Sequence, residues 1–71
     1  MGPGEKGVRL DGVVEEALPG LLFRVTVEGR HVLAYLGGRL KVHHIRVIPG
    51  DRVVVEMPNP SETRGRIVRR L

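Results

Sequence analysis

The sequence predicts an all-β fold, a small closed Greek-key barrel of five short strands with a helical turn between strands 3 and 4. Three observations predict it. Short segments of alternating apolar and polar residues recur along the 71 residues. Two Pro-Gly pairs, Pro19-Gly20 and Pro49-Gly50, separate such segments. A chain this short cannot cover exposed sheet edges with helices, and barrel closure removes those edges.

The first strand begins at Val8. Residues 1–7 are rich in Gly and Pro, so we expect a flexible tail there and a single barrel domain over residues 8–71. Gly12 indicates a bulge or bend within the strand. The segment Leu18-Pro19-Gly20-Leu21 predicts a type II turn, because Pro sets the first central φ and Gly accepts the positive φ that follows. A hairpin therefore ends the first strand.

The second and third strands have the clearest alternation. Gly29 begins the turn between them, and Gly37-Gly38 ends the third strand. Since alternate side chains of a strand point to opposite faces, one set on each strand should be buried. The predicted buried positions are Phe23, Val25, Val27, Val32, Ala34 and Leu36.

Residues 39–44 lack alternation and follow two glycines, which predicts a short helical turn. We expect Leu40, and either Ile45 or Val47, to anchor this turn to the core. The rest of the chain is predicted to form a second Pro-Gly turn, a fourth strand, a polar loop and a fifth strand. The corresponding segments are Ile48-Pro49-Gly50-Asp51, a strand with Val53 and Val55 inward, residues 58–63, and residues 65–69 with Ile67 inward.

These elements match a barrel of the oligonucleotide-binding (OB) type. An SH3-like barrel is the alternative that the strand pattern leaves open.

Charge is distributed unevenly along the chain. The net charge is +4, yet the first 20 residues carry two cations against four acids, and the remaining 51 carry ten cations against four acids. Between Glu28 and Asp51 there is no acid. Ten of the twelve cations are Arg, whose planar guanidinium binds phosphate in a bidentate manner. The asymmetry favours an anionic partner, most simply nucleic acid, although a solvated basic face is the alternative.

Two groups of basic residues are the candidate binding residues. On the helical turn they would meet successive phosphates, and on the last strand they would form a second patch. Phosphate contacts position a protein without reading sequence, so structured RNA fits better than a specific DNA site. Tyr35, on the outward face of its strand, could stack on a base or merely cover the barrel. The candidates are Arg39, Lys41, His43, His44, Arg46, Arg64, Arg66 and Tyr35.

Several functional classes are disfavoured by composition. There is no cysteine for a thiolate metal site, and neither the adjacent pair His43-His44 nor His31 belongs to a ligand set, so we expect no metal and no cofactor. Ser61 is the one serine and has no histidine near it in sequence, which disfavours an enzyme. The longest apolar runs are a few residues, so no membrane segment is expected. These features suit a cytoplasmic protein.

The segments "ALPGLLFRV", "IRVIPGDRVVVE" and "TRGRIV" resemble, in that order, bacterial translation initiation factor one, over about Gly12 to Val68. The resemblance implies one OB barrel like the RNA-binding domain of ribosomal protein S-one. The family's basic segment matches residues 38–46, and its R-G-R motif matches residues 64–66. These are the two groups that charge alone selects. His44 replaces the family's usual Tyr, which makes stacking there weaker or dependent on protonation.

The resemblance also implies function and partners. It implies a monomeric factor in protein biosynthesis that binds ribosomal RNA at the aminoacyl-tRNA site of the small ribosomal subunit and blocks that site during initiation. It further implies contact with a ribosomal protein and joint action with initiation factors two and three. Two alternatives stay open: a general single-stranded RNA chaperone of the cold-shock type, and a barrel that serves only as a protein-interaction module. Scarcity of aromatic residues counts against the chaperone, because such proteins stack several bases.

Overall fold

A computed structural model describes residues 7–43 and 46–71. Its strands close into a barrel in the order β1-β2-β3-β5-β4. Neighbouring strands are antiparallel, except that β3 and β5 are parallel. The elements are β1 (Val8–Leu18), β2 (Leu22–Val27), β3 (Arg30–Leu36), α1 (Gly38–Val42), β4 (Arg52–Met57) and β5 (Arg64–Arg70). The predicted all-β barrel of the OB type, with its helical turn between strands 3 and 4, is confirmed.

One face of every strand supplies the core. All eight strand residues predicted to point inward from the second to the fourth strand are buried, as is Ile67 of β5. Leu40 and Val47 anchor the segment around α1, as expected. Ile45, the alternative anchor, lies outside the described residues, as do residues 1–6 of the expected tail. Val14 and Met57 complete the core, and Val8 and Leu10 pack against it.

The long strand β1 pairs with two neighbours. Its first half pairs with β4 and its second half with β2. Gly12 lies where the strand passes closely over β2: a Cβ atom there would stand 2.6 Å from Cγ1 of Val25 and 2.8 Å from Cγ2 of Val27. The bulge predicted at Gly12 is wrong, because the register is regular there and shifts between Val14 and Glu16 instead. Gly12 is needed for close approach of two strands.

The predicted turns are confirmed. Gly20 has a φ of 81°, as the second central position of a type II turn requires, and Leu21 follows with a φ of 58°. In the second Pro-Gly turn Gly50 has a φ of 96°, and the amide of Asp51 donates to the carbonyl of Ile48 at 3.0 Å. Glycine is suited to both positions because it has no Cβ to clash at positive φ.

The turn between β2 and β3 has two residues, Glu28 at φ 50° and Gly29 at φ 79°. Positive φ at both central positions is the type I′ hairpin, which favours Asn-Gly because Glu is strained in the left-handed region. We expect Glu28→Asn to raise the free energy of unfolding by about 0.5–1 kcal/mol. Urea unfolding of this variant beside Glu28→Gln, which removes the charge without the preference for left-handed backbone, measures the effect. Equal stability of the two variants would contradict the expectation.

Candidate nucleic-acid interface

A row of outward-facing side chains runs across four strands of the barrel. Arg9 of β1 is the register partner of Glu56 of β4, Glu56 is the partner of Arg66 of β5, and Arg66 is the partner of Tyr35 of β3. Side chains opposite each other on one face of a sheet lie within contact distance. The row therefore puts two arginines, one carboxylate and an aromatic ring side by side.

Within this row, Glu56 binds both arginines. Nε of Arg9 donates to its Oε2 at 3.3 Å, and Nη2 of Arg66 donates to its Oε1. The Arg66 hydrogen bond, followed by that of Arg9, lowers the pKa of Glu56 below its usual range. The same hydrogen bond raises the pKa of Arg66. One carboxylate between two guanidinium groups leaves a net charge of +1, so the row remains positive.

Two grooves flank the row. The first, of about 590 Å³, is lined by Tyr35, Arg64 and Arg66 among others. The second, of about 820 Å³, is lined by Arg9, Arg66 and Arg69 together with residues of α1. Because Arg66 lines both, the grooves adjoin. The arrangement can accept phosphate groups on either side of the Arg66 side chain.

Hydrogen bonds attach the segment around α1 to β5. The amide of Gly37 donates to the carbonyl of Ile67 at 2.9 Å, and Nη1 of Arg70 donates to the carbonyl of Arg46 at 3.0 Å. Arg66 lines the second groove together with Gly38 and Leu40, so α1 and the basic group of residues 64–66, separate in sequence, adjoin on the surface.

The candidate binding residues have different surroundings. Tyr35 is 52% exposed, and Lys41, His43, Arg46 and Arg64 are also exposed. Arg64 is within ion-pair distance of no acid among residues 7–43 and 46–71, whereas Arg66 is paired with Glu56. Arg39 lies in α1, but its side chain and the whole of His44 lie outside the description. Arg66 is thus the candidate residue whose charge a carboxylate of the protein already meets.

Sequence reasoning missed two members of the row, Arg9 and Glu56. Arg9 lies in the acidic first part of the chain, and Glu56 reads as an ordinary solvent-facing strand position. The signal was present in the alternation of both strands, since each residue occupies an outward position. What the alternation could not show is that β1 pairs with β4, which brings the two residues together.

Two other acids, Glu15 and Glu16, are engaged elsewhere. Glu15 accepts a hydrogen bond from the hydroxyl of Thr26 and lies 3.3 Å from Nε2 of His31 and 3.4 Å from Nε of Arg24. The Thr26 hydrogen bond, then the positive potentials of His31 and Arg24, lower the pKa of Glu15. Glu16 also pairs with Arg24, at 2.7 Å. These acids of β1 are therefore concentrated beside β2, away from the α1 and β5 surface.

Arg30 holds the loop between β4 and β5. Its Nη1 donates to the carbonyl of Glu62 at 2.7 Å, its Nη2 donates to the carbonyl of Pro60, and Nη2 lies 3.9 Å from Sδ of Met57. The amide of Leu33 donates to the carbonyl of Thr63 at 2.9 Å, which attaches the other end of the loop to β3. Since Glu62, Thr63 and Met57 line the first groove, Arg30 positions one wall of it.

We expect Arg30→Lys to loosen this loop, because one ammonium group cannot replace a guanidinium that spans two carbonyls. The expected result is a loss of stability of about 1 kcal/mol and faster hydrogen exchange at the Glu62 amide. Arg24→Lys is the matched control, since Arg24 contacts carboxylates on another part of the sheet. Unchanged exchange at Glu62 in Arg30→Lys, or an equal change in both variants, would contradict the expectation.

Neither a metal site nor a membrane span is found in the described part of the chain. No three side chains among His, Asp and Glu of residues 7–43 and 46–71 come together as metal ligands could. Over the same residues, no helix is long and apolar enough to span a membrane.

The fold and the surface define a small closed OB barrel whose arginine-rich face carries two grooves. A family model described as translation initiation factor 1A / IF-1 matches residues 2–71. The chain belongs to the translation initiation factor 1A / IF-1 family. Members of this family act in translation initiation on the small ribosomal subunit, generally without catalysis. The resemblance drawn from three short segments is thereby confirmed.

Two solved structures are similar to this chain. The solution structure of translation initiation factor 1 from the Wolbachia endosymbiont strain TRS of Brugia malayi is 34% identical, with a TM-score of 0.77; the match covers 96% of this chain and 82% of that one. The crystal structure of YjeQ from Thermotoga maritima is 26% identical, with a TM-score of 0.72. That match covers 90% of this chain and 23% of the YjeQ chain, so the barrel is similar to one part of YjeQ, which is the longer protein.

Proposed function

We propose that this protein binds ribosomal RNA at the aminoacyl-tRNA site of the small ribosomal subunit and blocks that site during initiation. One observation supports the proposal most: Arg66 of the second basic group lines the same groove as Gly38 and Leu40 of α1, the helix in which the first basic group begins. The protein acts by binding alone, as a cytoplasmic monomer without cofactor, beside a ribosomal protein and initiation factors two and three. The proposed RNA-binding residues are Arg39, Lys41, His43, His44, Arg46, Arg64, Arg66 and Tyr35.

Folded RNA suits this surface better than a flexible single strand. Phe23 is 5% exposed and belongs to the core, and the sequence has no Trp, so among Phe, Tyr and Trp only Tyr35 can stack on a base. Single-strand binders that tolerate any sequence stack several bases on several rings. The surface offers charge in two grooves instead, which fits the phosphate groups of an RNA whose fold presents them at set positions.

Competition on isolated small subunits tests the proposal. Labelled protein is titrated onto purified subunits, with and without an anticodon stem-loop bound to messenger RNA in the aminoacyl-tRNA site. We expect the stem-loop to displace the protein. If about five phosphates are contacted, affinity should fall roughly 10²- to 10³-fold between about 50 and 200 mM salt.

Three outcomes would contradict the proposal. Simultaneous binding of protein and stem-loop would exclude occupancy of that site. Equal affinity for subunits and for an unstructured oligonucleotide would favour the single-stranded RNA chaperone. Binding that does not change with salt would favour a protein-interaction module, since contacts with phosphate release counterions.

A further inference from the structure

Glu56 has a position that no other carboxylate of the described residues shares: it lines both grooves of the candidate interface. Its side chain is 16% exposed, beneath Arg9 and Arg66, whose side chains are 67% and 47% exposed. The acid is thus recessed, while parts of both guanidinium groups still face solvent. A negative charge at the centre of a phosphate-binding surface requires an explanation, because by itself it weakens binding of any anion.

We propose that Glu56 is a specificity-determining residue, which pairs Arg9 and Arg66 in the free protein and thereby selects against polyanions that cannot occupy both grooves. The inference rests on the proposed function and concerns the choice among RNA ligands at that same surface. Specificity is a difference between affinities, and a repulsive group that penalises the wrong ligand is one way to produce it.

The geometry explains how one carboxylate can discriminate. A flexible polyanion that follows the row has to pass over Glu56, where it meets repulsion and must compete for guanidinium N–H groups already bound to Oε1 and Oε2. A folded RNA that presents phosphates to the two grooves lies on both sides of Glu56. It can use the exposed parts of Arg9 and Arg66 without displacing the carboxylate. The penalty therefore affects the flexible ligand more.

Pairing also restricts the arginines before RNA arrives. An unpaired arginine has many rotamers, and ordering one on binding costs conformational entropy. Held by Glu56, the two guanidinium groups point along the row in the free protein. A ligand with phosphates at matching positions benefits from this order, whereas a flexible ligand, which could adapt to mobile arginines, benefits little.

The test compares Glu56→Gln with Glu28→Gln, which makes the same change in net charge. Glu28 lies in the β2–β3 turn and forms no ion pair with any residue of 7–43 or 46–71. Both variants and the unchanged protein are titrated with poly(U) and with purified small subunits at equal salt. We expect Glu56→Gln to bind poly(U) about 10-fold more tightly, and subunits at most about 3-fold more tightly. Glu28→Gln should raise both affinities by the same factor of about 2 or less.

A double-mutant cycle checks that Glu56 acts through its arginines. In an Arg66→Gln background, Glu56→Gln should raise poly(U) affinity by about 3-fold rather than 10-fold, because one of the two guanidinium groups it releases is already gone. Circular dichroism verifies folding of each variant. If Glu56→Gln does not fold, Glu56→Asp replaces it: the shorter side chain keeps the charge but reaches the arginines less well, and the poly(U) affinity should rise by about 3-fold.

Failure of this inference and failure of the proposed function give different results. If the unchanged protein does not prefer subunits to poly(U), the proposed function is wrong. Suppose instead that the unchanged protein prefers subunits to poly(U). If this preference is as large in Glu56→Gln as in Glu28→Gln, the role assigned to Glu56 is wrong. A preference that increases in Glu56→Gln overturns the inference as well.

Discussion

The double change Arg46→Gln and Arg64→Gln is expected to lower affinity for the small ribosomal subunit about 100-fold. Both side chains are exposed, and one comes from each of the two basic groups proposed to bind RNA. Arg64 has no acid partner within the described part of the chain, so its charge is free to meet phosphate. Removing one charge-assisted hydrogen bond costs roughly 1.5–3 kcal/mol, which is at least a factor of ten for each arginine.

The matched control is the double change Arg24→Gln and Arg52→Gln, which removes the same charge from other parts of the barrel. Arg24 pairs with acids of β1, and Arg52 lies 3.9 Å from Asp11. Exposed pairs of this kind contribute little to stability, so the control should fold and bind with an affinity lowered by about 3-fold or less. Titration onto purified subunits measures all three proteins. If the two double variants lose affinity equally, net charge rather than its location governs binding.

Replacement of Gly12 by alanine is expected to destabilise the barrel by about 3 kcal/mol, the upper end of the usual cost of overpacking. The added methyl group would stand under 3.0 Å from Val25, Val27 and the carbonyl oxygen of Thr26. Side chains could rotate to relieve two of these contacts, but the carbonyl belongs to the β2 backbone. In a domain of this size, such a loss lowers the melting temperature by roughly 12–24 °C.

Gly38→Ala provides the control. Gly38 begins α1, has no positive φ, and no heavy atom lies within 4 Å of the Cβ that the change would add. Alanine also favours a helix over glycine, so the melting temperature should stay the same or rise slightly. Thermal unfolding followed by circular dichroism compares both variants with the unchanged protein. A Gly12→Ala barrel that melts within about 3 °C of the unchanged protein would show that β1 can move away from β2.

Most elements of the fold are determined by residues that are close together in the sequence, and the sequence therefore predicts them. The alternation at Phe23, Val25 and Val27 identifies a buried face without any knowledge of neighbours, because side-chain direction in a strand depends only on position. The Pro-Gly turns likewise require particular φ values that the residues themselves impose. Gly12 is different: its role depends on which strand passes beneath it, and no local rule distinguishes close approach from a bulge.

The candidate site likewise has residues that the sequence alone identifies and contacts that it does not. Charge along the chain is sufficient to select Lys41, Arg46 and Arg64, since each lies in a segment without compensating acids. It is not sufficient to show that Arg66 is paired, because the pairing joins β4 to β5 across the sheet. Arg9 enters the interface only through pairing of β1 with β4. Contacts across the sheet therefore determine which predicted charges are free.

The strand β5 has a consequence for synthesis of the protein. Its seven residues pair with both β3 and β4. A nascent chain that ends before Arg64 therefore leaves one edge of β3 and one edge of β4 unpaired. The same residues carry Arg64 and Arg66, which line the grooves. A chain without β5 therefore lacks both the ladders that close the barrel and two of the candidate binding residues.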